Sequence, residues 1–246
     1  MWRGCREILT LIMKAALSKA ELEAEIGGRF GDAFRIHEKA VVETLSTGVG
    51  EIDGLTGGLP RGAISEIFGP ASSGRTSLMY SLLAYATTHE ETCALVDTSD
   101  VFAPTTAVAT GMNFDRLLWV RCGGNLEHAF KATDLLLHAG GFGLVVLDLG
   151  DVPGKEARRI ISSWWYRFRR TVEDRPTVLT VISEEACTRS CAALALELNG
   201  APEWSHTSVK RGAGTLLRSN AIKLDQRRPI SPWINQSQFR AAGLAV

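Results

Sequence analysis

From residue 63 onward, short apolar runs alternate with stretches whose apolar residues recur at helical spacing. The pattern predicts strands over 63–68, 93–97, 117–121 and 142–148, with helices over 76–87, 104–111 and 125–139. A further helix is expected over 157–170, a fifth strand over 177–182, and more strands over 192–198 and 215–224. Residues 143–147 are apolar at successive positions, as in strands covered on both faces, which is how parallel sheets read. Strand–helix alternation of this kind predicts an α/β fold, a mainly parallel central sheet flanked by helices.

Ahead of that pattern, Ile8, Leu9, Ile12, Ala16 and Leu17 fall at helical spacing, and Gly27-Gly28 closes the stretch. An amphipathic N-terminal helix is expected, either a docking or oligomerisation arm or a solvated terminal helix. Residues 31–50 read as an exposed connection. The chain thus divides into a helical arm and connection (1–45), an α/β core (46–228) and an irregular tail (229–246). The tail sequence PISPWINQSQF reads either as a docking peptide or as a disordered end.

Composition places the chain among globular proteins: 246 residues, 45% hydrophobic and 22% charged. Its 27 basic and 27 acidic side chains cancel, but not locally. Residues 1–154 carry 12 basic and 19 acidic groups, a balance of −7; residues 155–246 carry 15 and 8, a balance of +7. Neutrality therefore does not exclude a nucleic-acid or acidic partner. Cysteines 5, 93, 122, 187 and 191 form no CxxC pair, and their odd number argues against a disulfide framework. Cys187 and Cys191, four apart, suit ordinary helix packing. The five histidines show no metal-ligand spacing. The apolar run 8–13 is too short for a membrane span, so a cytoplasmic protein with no membrane contact is expected.

The first predicted strand runs into Gly69, Pro70, Ala71, Ser72, Ser73, Gly74, Arg75, Thr76 and Ser77, and a helix follows. The order matches the phosphate-loop template GxxxxGK[ST], with Arg75 where lysine is expected. Glycines allow successive N–H groups to converge on phosphate oxygens, and the start of the helix favours an anion. ATP with magnesium is the expected ligand, Thr76 holding the metal through its hydroxyl and Asp148, ending an apolar strand, through water. Arginine is a broad planar fork where lysine is a compact point charge, so weak binding and poor hydrolysis are expected.

The segment STGVGEIDGLTGGLPRGAISEIFGPASSGRTS, followed in order by TCALVDTSDVFAP, FDRLLWVR and GLVVLDLGD, resembles the RecA recombinase core. The resemblance is good over residues 46–150 and weak over 177–224, and implies a RecA-like phosphate-loop NTPase fold. It also implies a water-activating glutamate two residues after the acid that ends the second strand. Asp97 is that acid here, and Ser99 fills the glutamate position, with Asp100 as a displaced substitute. The position of the adenine-stacking residue is Thr106, and the nucleotide-sensing Asn-Gln pair is replaced by Ser183-Glu184. The first DNA loop is shortened to about 150–155. In size and degeneracy the chain is similar to the ImuA-type accessory proteins of translesion synthesis. That likeness implies translesion polymerase subunits and RecA as partners, within the SOS response to DNA damage.

The basic half contributes ARRIISSWWYRFRR, residues 157–170. As one helix it would place Ile160, Ile161, Trp164 and Phe168 on the packed face. Arg158, Arg159, Trp165, Arg169 and Arg170 are candidates for contact with single-stranded DNA or a partner; the alternative is a solvated face for the arginines and core packing for Trp165. Lys210 and Arg211 open a second basic group, which reads either as a phosphate contact or as a charged, solvated sheet edge. The leading reading is a barely catalytic adaptor that binds DNA or a RecA filament, with homo-oligomers in keeping. Its rivals are an active DNA-dependent ATPase, Arg75 and Asp100 replacing the usual groups, and a regulator that binds only protein.

Overall fold

A computed structural model describes residues 43–198 in full, and the backbone of three further strands at 203–205, 216–218 and 222–225. The predicted N-terminal helix and the tail lie outside the described residues. One compact unit spans 41–246.

The chain enters through a short antiparallel pair, β1 (Thr44–Leu45) with β2 (Leu59–Pro60), which encloses α1 (Gly50–Thr56). The main elements follow in order: β3 (Ala63–Phe68), α2 (Arg75–Thr88), β4 (Cys93–Asp97), α3 (Pro104–Ala109), β5 (Leu117–Arg121), α4 (Leu126–Ala139) and β6 (Leu144–Leu149). Then come α5 (Gly154–Ala157), α6 (Ser162–Glu173), β7 (Val178–Ser183) and β8 (Leu194–Leu198). Three strands complete the described chain: β9 (Glu203–Ser205), β10 (Leu216–Arg218) and β11 (Ile222–Asp225). The central sheet runs β11-β8-β3-β7-β6-β4-β5. Its β8-to-β5 strands are parallel, and β11 closes one edge antiparallel to β8. The expected α/β fold with a mainly parallel sheet is what the chain adopts.

Alternation along the strands supplies both faces. Ile67, Leu95, Val146 and Ile182 pack on one side with Leu78, Leu82 and Leu83 of α2. Ile64, Val96, Val145, Leu147 and Val181 pack on the other with Phe130 of α4 and Trp165 and Phe168 of α6. Burial on both faces explains why these strands read as continuous apolar runs. Helix ends follow local chemistry. Asn125 caps α4 by accepting the His128 N–H at 3.0 Å, and Gly140, at φ 71°, ends it.

Three expectations need correction. Residues 44–50 are not an exposed connection: Leu45, Thr47 and Val49 are buried. Asp53 knots the segment by accepting from the Thr47 N–H at 2.9 Å, Thr47 Oγ1 at 2.8 Å and Ser46 Oγ at 2.5 Å. The helix expected over 157–170 is broken, because Ile160 turns into the core and Ile161 is extended (φ −62°, ψ 127°) and 68% exposed. Helix α6 restarts at Ser162 with a new phase, which puts Trp165, Phe168 and Val172 inward. Cys187 and Cys191 share no helix; Cys187 lies in a loop and Cys191 in a 3-10 turn, both buried in the α4–α6 side of the core.

Candidate phosphate-loop site and the facing segments

Parallel register lines up the C-terminal ends of β3, β7, β6 and β4, with Phe68 opposite Ser183 and Asp148 opposite Asp97. The candidate site sits on this edge. Beyond Phe68 the chain bends through Gly69–Gly74, with Ser72 at φ 63° and Gly74 at φ 94°. A Cβ on Gly69 would collide with the Leu198 carbonyl oxygen, so the loop needs glycine where it leaves the strand. The Gly69 N–H extends the ladder to β7 by donating to the Ser183 carbonyl at 3.3 Å, and the Ser73 N–H closes a turn on the Pro70 carbonyl at 3.2 Å. No side chain caps the first turn of α2. Pro70, Ala71, Ser72 and Thr76 are exposed, and Gly74 and Ser77 half-buried. The buried Ser73 hydroxyl has no hydrogen-bond partner among the described residues. Free N–H groups at a helix start, in a loop with left-handed residues, fit an anion.

Arg75 does not complete that picture. It is 8% exposed and turned inward. Nη1 donates to the Gly69 carbonyl and Nη2 to the Gly150 carbonyl at 2.6 Å. The backbone of the loop therefore fits phosphate, while its cation is bound to the protein's own carbonyls. Asp148 lies beside it on β6 and accepts the Gly150 N–H at 2.8 Å. Burial pushes the Asp148 carboxyl up to about 6; the Gly150 N–H opposes this, Asp97 and Asp151 add to it, and Arg75 counters.

The acid ending β4 has a structural task. Asp97 is fully buried and accepts from the Val101 N–H at 3.1 Å, the Phe102 N–H at 3.0 Å and the Trp119 Nε1–H at 3.2 Å. Asp100, at φ 59°, pairs with Arg121 at 3.1 Å and accepts the Gly123 N–H at 3.2 Å. Those contacts turn it toward the end of β5. Thr106 is exposed on α3, and Ser183 is fully buried at the end of β7.

The segments after β6 and β7 are short and fastened to each other. Arg158 pairs with Glu185 at 3.0 Å, and Arg189 donates to Ser162 Oγ at 2.9 Å. From below, the buried Glu66 of β3 accepts from Cys187 N–H at 2.6 Å, Thr188 N–H at 2.9 Å and Thr188 Oγ1 at 2.7 Å. The sequence reading missed Glu66; a lone carboxylate inside the apolar strand AISEIF was the available signal.

The expected basic surface is not one patch. Trp165 is fully buried against Phe130 and Phe168, so of its two expected roles it takes packing and not stacking; the broken helix sets its face inward. Arg169 pairs with Glu173 at 2.9 Å and lies 5.8 Å from the Tyr166 ring centre. Arg159 and Arg170 are exposed and make no ion pair with a described acid. Arg159 borders an apolar cavity of about 360 Å³ with Ile161 and Trp164; Arg170 borders a polar one of about 410 Å³ with Arg167, Arg175 and His138. Lys210 and Arg211 lie outside the described residues. Among the described residues no cluster of His, Cys, Asp and Glu could hold a metal, and no helix is long and apolar enough to cross a membrane.

Fold and loop together define a phosphate-loop α/β core of RecA type. Residues 12–156 match the model of the RecA N-terminal domain, and the chain belongs to that family. It is similar to the protein RecA of Pseudomonas putida, 37% identical over 141 residues, covering 55% of this chain and 38% of that one. Protein RecA of Ectopseudomonas oleovorans is 38% identical over 138 residues, covering 55% and 39%. The matched stretch thus spans about two-fifths of these relatives' length. Among solved structures, the RadB recombinase shares the fold at a TM-score of 0.53 and 20% identity, covering 65% of this chain and 86% of that chain.

Proposed function

We propose that this RecA-family protein is an accessory adaptor of DNA repair, of the ImuA type, that brings error-prone polymerases to damaged DNA or to a RecA filament. Its ATP hydrolysis is weak or absent. The observation that carries this reading is at the position of the missing general base. Ser99 offers no carboxylate, and the neighbouring Asp100 is held by Arg121 and the Gly123 N–H. Phosphoryl transfer depends on positioned charge and an oriented water, so losing the base harms turnover more than binding. Residues 69–77 with Asp148 then serve as a vestigial anion site or a weak pocket for ATP and magnesium.

Contact with single-stranded DNA, where it occurs, runs through Arg159 and Arg170, the candidate arginines that are exposed and not paired with a described acid. Translesion polymerase subunits and RecA are the proposed protein partners, and self-association is in keeping with the family. Purification of the tagged protein from cells with damaged DNA tests the reading. A polymerase resembling the Y family should co-purify at near-equal amount. Absence of any polymerase, together with brisk DNA-dependent ATP hydrolysis, would replace the adaptor by the active-ATPase alternative.

A further inference from the structure

Two glycine carbonyls and one guanidinium form a bridge over the sheet edge. Gly69 follows β3 and Gly150 follows β6, and β7 lies between those strands in the sheet. Arg75 spans the gap, one terminal nitrogen on each carbonyl. Bonds from a charged donor to a carbonyl are stronger than neutral ones, and these lie in a buried setting. Gly69 is required at one end of the bridge, while Gly150 at the other packs against the Asp148 carboxylate. A Cβ on Gly150 would stand 2.9 Å from Asp148 Oδ1 and 3.5 Å from Arg75 Nε, and a Cβ on Gly69 has no room.

We infer that Arg75 is a built-in tie that replaces bound nucleotide in holding the phosphate loop to the turn after β6. In a phosphate-loop site, a polyphosphate and its metal normally join the loop to the acidic strand, because the loop holds one end of the ligand and the carboxylate the other. Here a side chain of the loop makes that join itself. The planar fork suits the task, since it can serve two separated carbonyls at once; the single ammonium of lysine pivots as a point charge. The loop is therefore closed without ligand, and a polyphosphate entering it competes with the tie. This inference rests on the non-hydrolytic reading above and supplies its structural counterpart: the site keeps its architecture for the sake of the fold.

Amide hydrogen exchange without nucleotide tests the tie. The probes are Gly69 and Ser73 in the loop and Val152 beyond β6, whose N–H groups are bonded to Ser183, Pro70 and Leu149 carbonyls. In Arg75→Lys all three should exchange faster by about tenfold or more. Adding magnesium-ATP should restore their protection in the variant and leave the native protein unchanged. Arg75→Met, which keeps the stem and removes both donors, should speed the same three amides, and it answers the question if Arg75→Lys does not fold. Unchanged exchange in the variant that folds, or native amides that gain protection with magnesium-ATP, would overturn the tie. Hydrolysis measured in the same samples keeps the two readings separate. Turnover by the native protein sinks the adaptor reading alone, and unaltered exchange sinks the tie alone.

Discussion

Arg158 and Glu185, on the segments that follow β6 and β7, are joined by an ion pair of 3.0 Å. The pair is more than a third exposed at both ends, so it contributes less than about 1 kcal/mol to stability. Its effect is on availability, since a paired arginine is a poorer phosphate contact. Glu185→Gln should leave the melting temperature nearly unchanged and raise affinity for single-stranded DNA several-fold at low salt, with the gain shrinking as salt is added. Fluorescence anisotropy with a labelled oligonucleotide measures it. Equal affinity for both proteins would take Arg158 out of any DNA contact.

Glu66 holds the loop at Cys187–Thr188 from inside the sheet. Glu66→Gln sets an amide N–H₂ or a weaker acceptor against two backbone N–H groups. Loss of charge-assisted bonds at a fully buried site is expected to destabilise by about 2–3 kcal/mol. The urea midpoint should fall with an unchanged slope.

Trp165 is a core residue. Trp165→Ala should destabilise by about 3–5 kcal/mol, whereas Trp165→Phe should keep most of the stability. DNA binding, measured on folded Trp165→Phe, should equal that of the native protein. Weaker binding at equal stability would return the residue to the surface role that the sequence suggested.

Burial pushes the Cys93 thiol up to about 12, with Glu91 adding to it. The unfolded chain releases that proton near the ordinary value of 9, so the folded state binds more protons between about 9 and 12. Stability from this group is complete below 9 and is lost as pH rises toward 12. Cys93→Ala should flatten the alkaline fall in melting temperature. In the native protein at pH 8, mapped alkylation should leave Cys93 unmodified until the protein unfolds.

Much of the fold was legible because both sheet faces are covered, which turns β3, β4, β6 and β7 into apolar runs that periodicity finds. The phosphate loop was legible too, since its glycines and its place between strand and helix are local. What a single sequence conceals is phase and direction. One extended residue, Ile161, reset the helical face and moved Trp165 from candidate surface to core. Arg75 stood at the expected position, but its inward turn depends on the Gly150 carbonyl, 75 residues away. The same distance effect hid Glu66, whose partners at Cys187 and Thr188 lie more than a hundred residues away, while Asp53 takes nearby Ser46 and Thr47 donors that carry no signature of their own.

The proposed adaptor keeps the architecture of a RecA-family core without the groups that hydrolyse ATP. Single-turnover hydrolysis, with and without single-stranded DNA, tests it most directly. Turnover should stay at or near background under both conditions, with little gain from Arg75→Lys alone because Ser99 still lacks a carboxylate. Turnover by the native protein comparable with that of an active RecA-type ATPase, stimulated by DNA, would contradict it.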